Sequence, residues 1–144
     1  MSATAPARPS AASEAWVLLH ELVASQRGRV MCISSEFDLA PGQMMALKWL
    51  DPDTPVPMRE LACAMSCDNS NVTGIIDRLE DRGLVVRRAA PHDRRVKMLV
   101  VTPEGAELRR RIKARLGEPP EPLLRLDPAE QRTLRDLLRK ALDR

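Results

Sequence analysis

Three short polar side chains, Ser70, Asn71 and Thr73, stand ahead of an arginine at position 78. Beyond a glycine at 83 comes a second cluster, Asp93-Arg94-Arg95, flanked by Arg87, Arg88 and Lys97. Hydroxyls and amides of this length can hydrogen-bond base edges. Guanidinium groups can bind phosphates or enter a narrow, electronegative groove. The chemistry these residues suggest is recognition of a polyanion, duplex DNA above all, rather than bond making. Each also has a plainer role open to it: short polar residues suit any solvated helix face, and charges keep a hairpin soluble. Their concentration in one stretch, Ser66–Gly105, favours contact.

That stretch must position them. Val72, Ile75, Ile76 and Leu79 recur at helical spacing and predict an amphipathic helix over Asn69–Arg82, stopped by Gly83. Two β-prone runs follow, Leu84–Arg88 and Val96–Val101, joined by the basic turn Ala89–Arg95. A shorter helix, Met58–Met65, and a turn at Met65–Asp68 come before, and Ser66 or Asp68 can cap the main helix. A short helix, a tight turn, a second helix and a basic hairpin make a winged helix. The second helix would enter a major groove and the hairpin tip an adjacent minor groove. Asp93 gains nothing by charge near phosphate. Its expected task is local, accepting hydrogen bonds from turn amides or bracing an arginine.

The same stretch resembles the MarR family of winged-helix transcriptional regulators. The resemblance rests on Asp93-Arg94-Arg95 and Thr102-Pro103-Glu104-Gly105 at the wing. It extends to Met58-Arg59-Glu60-Leu61-Ala62, to Val72–Leu79 and to Gly83-Leu84-Val85. It implies a mainly α fold with a small β-hairpin wing: a winged helix-turn-helix lobe over about 41–102, flanked by dimerisation helices over about 14–36 and 103–144. It implies a homodimer on a pseudo-palindromic operator of double-stranded DNA. It assigns wing shape and DNA contact to Asp93 and Arg95, with Arg94 as the groove-inserting residue. The full expected DNA-binding set is Ser70, Asn71, Thr73, Arg78, Arg88, Asp93, Arg94, Arg95 and Lys97. The resemblance also implies a small aromatic or phenolic effector held near Trp16, His20, Met44, Met45 and Trp49, each of which fits a packing role as well.

Residues 1–13 are Ala, Pro and Ser with few others and read as a disordered tail. From Glu14 to Glu36 the spacing of Trp16, Leu19, Leu22, Val23, Val30 and Ile33 predicts one helix, with Gly28 its weak point. Pro41 starts a short helix ending at Leu50, and Asp51–Pro55 is a loop. Thr102-Pro103-Glu104 opens a helix with Leu108, Ile112 and Leu116 on one face. Its four arginines and one lysine at 109–115 suit a solvated face better than DNA backbone. Asp127-Pro128-Ala129-Glu130 opens the last helix, striped by Leu134, Leu137, Leu138, Ala141 and Leu142. The apolar faces of the terminal helices fit a partner chain.

Composition narrows the rest. The 144 residues carry a net charge of +3, with two Trp, one Phe and no Tyr. The core must therefore be aliphatic, which favours helices. The N-terminus lacks the apolar segment of a signal peptide, and no run approaches the ~20 apolar residues of a membrane span. A cytoplasmic protein with reduced thiols is expected, without membrane, metal or cofactor. An enzyme is not: His20 and His92 lie far apart, and there is no phosphate-cradling glycine loop or metal-ligand pattern. Cys63 and Cys67 lack companion zinc ligands. Cys67, at the start of the main helix, leaves a redox-responsive regulator as one alternative. Cys32 lies late in its helix, unlike the early reactive cysteine of peroxide-sensing MarR members. A winged helix used for protein contact is the other alternative.

Overall fold

The computed structural model describes residues 9–66 and 69–144, with Asn69 and Ser70 as backbone only. The expectations for residues 1–8, for Cys67 and Asp68, and for the side chain of Ser70 lie outside the described residues. Helix α1 is Ala11–Ser25, three residues earlier in its start than Glu14. Ser10 is its cap, its hydroxyl accepting the amide of Ser13 at 3.2 Å. Helix α2 is Arg27–Glu36. The single helix expected over 14–36 is thus divided, at Gln26 rather than at Gly28. Local hydrogen bonds explain the place: the Gln26 amide turns back to the Val23 carbonyl at 3.1 Å, and the Ser25 hydroxyl donates to the Leu22 carbonyl at 2.7 Å.

The chain divides into two units, 30–118 and the pair of segments 1–29 and 119–144. The larger unit contains α3 (Pro41–Trp49), β1 (Val56–Pro57), α4 (Met58–Ala64), α5 (Asn69–Asp81), β2 (Val85–Ala89), β3 (Lys97–Val101) and α6 (Pro103–Gly117). Its sheet is antiparallel in the order β1-β3-β2, with Arg87 opposite Leu99 and Val56 opposite Leu99 on the other side. Strand β1 was not expected. It is two residues long and contains Pro57, which an edge strand tolerates because one side of it needs no donor.

The core of this unit is aliphatic. Ile33, Met44, Leu47, Leu50, Leu61, Val72, Ile76, Leu79, Val85 and Ile112 have no exposed surface. α3 packs on α5 and α6, and α4 packs on α5. Helix α5 ends as its sequence demands. Gly83 takes φ +68, its amide reaches the Glu80 carbonyl at 2.8 Å, and the Leu84 amide reaches Leu79 at 2.9 Å. This left-handed glycine stop also buries Leu84 beside Leu79.

The Thr102–Gly105 motif joins the hairpin to α6. The Thr102 hydroxyl accepts the Gly105 amide at 3.0 Å and donates to the Gly83 carbonyl at 2.6 Å. Pro103 occupies the first turn of α6. A Cβ on Gly105 would stand 2.0 Å from the Leu84 carbonyl oxygen, so only glycine lets the helix start this close to the strand.

The smaller unit holds α1, α7 (Glu121–Leu124) and α8 (Pro128–Ala141). Asp127 caps α8 through the amides of Ala129 and Glu130, at 2.7 and 2.9 Å, and Glu130 returns a bond to the Asp127 amide at 2.8 Å. Neither α1 nor α8 has a single buried residue. Among the described residues no helix is long and apolar enough to cross a membrane.

Candidate nucleic-acid interface

Val72, Ile76 and Leu79 anchor α5 to the core. Asn71, Thr73 and Arg78 are left exposed on its other faces. Ser70 lies in the first turn of α5. The helix carries its polar residues outward because the buried stripe fixes its rotation.

The wing is set by Asp93. Its carboxylate accepts the Arg95 amide at 2.9 Å, and its carbonyl accepts the Val96 amide at 3.0 Å. The Ala90 amide closes the turn on the Val96 carbonyl at 2.9 Å. Asp93 therefore shapes the tip, as its chemistry suggested, and Arg94 and Arg95 project from it, exposed. Arg88 and Lys97 are exposed on the two strands.

Thr73 of α5 and Arg95 and Lys97 of the wing line one cleft of about 350 Å³ with Arg59 and Pro57. The helix and the wing thus border one cleft that carries the cations Arg59, Arg95 and Lys97. Arg59 was missed by sequence reasoning. Its only signal was a charge on the first turn of the short helix that precedes the turn.

Arg87 is a correction. Its charge was grouped with the DNA-facing residues, but it is turned inward. Its guanidinium donates to Asp77 at 2.5 Å, to Glu80, and to the Thr73 carbonyl at 3.4 Å. Its own amide donates to Glu80 at 3.1 Å. Burial works against the charge on Arg87 most strongly, but the hydrogen bonds and charges of Asp77 and Glu80 together outweigh it and raise its pKa. Arg87 clamps strand β2 to α5, which fixes the wing relative to the helix. Arg82 does similar work at the end of α5, donating to the Phe37 carbonyl at 3.3 Å and to that of Asp38.

The expected effector residues have different local surroundings. Met44 has no exposed surface and belongs to the core, because it faces inward from α3. Trp16 and His20 pair with each other on α1: the ring centroids are 4.1 Å apart, edge to face, and His20 Nδ1 donates to the Trp16 carbonyl at 2.9 Å. Met45 and Trp49 do come together. They line a cavity of about 660 Å³ with Pro41, Lys48, Arg109 and Lys113. The cations were missed as a group. Their signal was the pair at 109 and 113, four residues apart on one helix face. The Arg109 Nε is buried without a hydrogen-bond partner.

The other α6 arginines have partners. Arg110 pairs with Glu107 at 2.7 Å, Arg115 with Glu36 at 3.0 Å, and Arg111 lies 5.4 Å from the centre of the Phe37 ring. Cys32 and Cys63 are exposed free thiols. Among the described residues no three His, Cys, Asp or Glu side chains gather where a metal could bind.

A helix set outward on an aliphatic core, preceded by a short helix and followed by a basic hairpin, defines a winged-helix DNA-binding regulator of transcription. A model of the MarR family matches residues 39–97. The chain is 31% identical over 119 residues to a transcriptional regulatory protein for the hcr operon of Thauera aromatica, covering 82% of this chain and 72% of that protein. It is 42% identical over 53 residues to the transcriptional repressor MprA of Escherichia coli, which spans 37% of this chain and 30% of MprA. The apo crystal structure of MarR from E. coli superposes with a TM-score of 0.79 at 26% identity, over 87% of this chain and 93% of that one. The chain belongs to the MarR family.

Proposed function

We propose that the chain is a homodimeric repressor that occludes a pseudo-palindromic promoter operator and is released by a small aromatic or phenolic ligand. The observation that carries DNA recognition is the cleft that brings Thr73 of α5 beside Arg59, Arg95 and Lys97. In this reading Ser70, Asn71 and Thr73 meet base edges, and Arg78 meets a base or a phosphate. Arg88 and Lys97 neutralise phosphates, Arg94 and Arg95 enter the minor groove, and Asp93 holds the tip that presents them.

The exposed apolar faces of the terminal helices support the rest. α1 and α8 expose Trp16, Leu18, Leu137 and Leu142 by 61–64%, a large apolar surface for helices with nothing buried. Pairing them between two chains would cover it. Two recognition helices would then meet half-sites about one helical turn, ~34–36 Å, apart. Repression follows the role named for MprA, and occlusion follows from a dimer seated across a promoter. The effector reading rests on the cavity at Met45 and Trp49, whose lysines and arginine favour an acidic ring compound.

The test is fluorescence anisotropy on a duplex from the gene's own upstream region, beside a scrambled duplex, across a salt series. Tight, salt-sensitive binding to the upstream duplex alone supports the reading. Arg94→Ala and Arg95→Ala should each weaken that binding by about tenfold and leave sedimentation as a dimer unchanged. Loss of the dimer in either variant would assign the wing a structural role. Absence of binding at low salt would favour a winged helix used for protein contact.

A further inference from the structure

We propose that Gly74 is the point of closest approach between α5 and DNA, and that its missing side chain sets which base-pair edges the helix accepts. The inference rests on the operator-binding reading above and goes beyond it to a residue with no polar group at all.

An α-helix turns by roughly 100° per residue. Val72, Ile76 and Leu79, all without exposed surface, fix the inward side of α5. Position 74 then falls almost diametrically opposite, at the middle of the outward face. Asn71 lies one turn before it and Arg78 one turn after. All three line one open cleft, bordered on its other side by Ala40, Gly42 and Gln43 at the start of α3.

Nothing within the described chain requires glycine there. A Cβ on Gly74 would have no atom within 4 Å, whereas one on Gly105 would strike Leu84 and one on Gly42 would press on Ile75 at 3.3 Å. Among the described glycines only Gly83 has a positive φ, so the backbone at 74 makes no such demand. An exposed glycine inside a helix is nonetheless less favourable than alanine. A partner that needs close approach to the helix backbone would offset that cost.

The centre of the outward face is the part of a recognition helix that sits deepest in a major groove. Without a Cβ the backbone can approach the base edges closely. The thymine 5-methyl projects into that groove and is the group a Cβ would meet first. Deep seating also brings the Asn71 amide and the Arg78 guanidinium to the base edges on either side.

The experiment uses the full chain, Gly74→Ala and Gly74→Leu. The unaltered chain selects a duplex from a random-sequence pool. All three proteins are then titrated with that duplex and with a scrambled one, and their melting is followed by circular dichroism. Gly74→Ala should melt at a higher temperature, bind the scrambled duplex as before, and bind the selected duplex about tenfold more weakly. Gly74→Leu should lose more and select a different sequence. Equal affinity of Gly74→Ala and the unaltered chain for the selected duplex overturns the proposal and leaves the operator-binding reading standing. If the unaltered chain enriches no sequence, both fall.

Discussion

Arg87 shows why a basic residue beside a DNA-facing surface need not touch DNA. Its side chain is only 20% exposed and is held by two carboxylates of α5. A guanidinium so engaged has few donors left for phosphate. Arg87→Gln should therefore lower stability by about 1.5–3 kcal/mol in urea denaturation, the range for hydrogen bonds to charged groups. It should also weaken operator binding by loosening the wing. The slope of log affinity against log salt should stay as it is, because no phosphate contact is lost. A slope reduced by about one would make Arg87 a phosphate ligand instead. Sequence could not separate these roles: Asp77 and Glu80 lie on the helix and Arg87 on the strand, and only the fold brings them together. Asp93 was legible because a carboxylate near phosphate has no use for its charge. Met44 was not, since a methionine at helical spacing suits a core and a pocket equally.

The elements were legible where a strong period met a clear stop. α5 has its apolar stripe and Gly83. α8 has Asp127, Pro128 and Glu130 at its start. β1 was hidden because two residues beside prolines carry no period, and its pairing is made entirely by β3. The break between α1 and α2 was not expected, because it comes from the Ser25 hydroxyl and the Gln26 amide turning back on the Leu22 and Val23 carbonyls rather than from Gly28. α8 offers the sharpest test at this scale. Its Leu138 and Leu142 line an apolar cleft of about 760 Å³ with Leu123, Leu126 and Leu134. In the proposed dimer this face is covered by the partner. Leu138→Glu would bury a charge there and should shift sedimentation at micromolar concentration from dimer to monomer, with helical content retained. Operator affinity should fall with it, since a monomer reads one half-site. A variant that stays dimeric moves the interface away from α8.

At the scale of the whole molecule, the proposed function puts DNA and effector on one equilibrium. The proposed operator surface uses α5 and the wing, while the cavity at Met45 and Trp49 lies between α3, α6 and the end of α4. α3 packs directly on both α5 and α6, so a ligand that changes the seating of α3 changes the seating of the recognition helix. Such coupling is reciprocal: if benzoate weakens operator binding by some factor, operator must weaken benzoate binding by the same factor. Trp49, 43% exposed at the cavity, provides a fluorescence signal for the second measurement. Operator affinity should fall by about 5–150-fold at saturating benzoate, the usual span of such couplings. Lys113→Ala should raise the benzoate Kd while leaving operator affinity in its absence unchanged, because Lys113 faces the cavity and not the wing. A benzoate effect on operator binding that is not mirrored in the Trp49 titration would place the acid elsewhere, directly in the basic cleft of Arg59 and Arg95, where it would compete with phosphate. In that case raising the DNA concentration would displace it completely, whereas a ligand in the α3 cavity would remain bound to the DNA complex with reduced affinity.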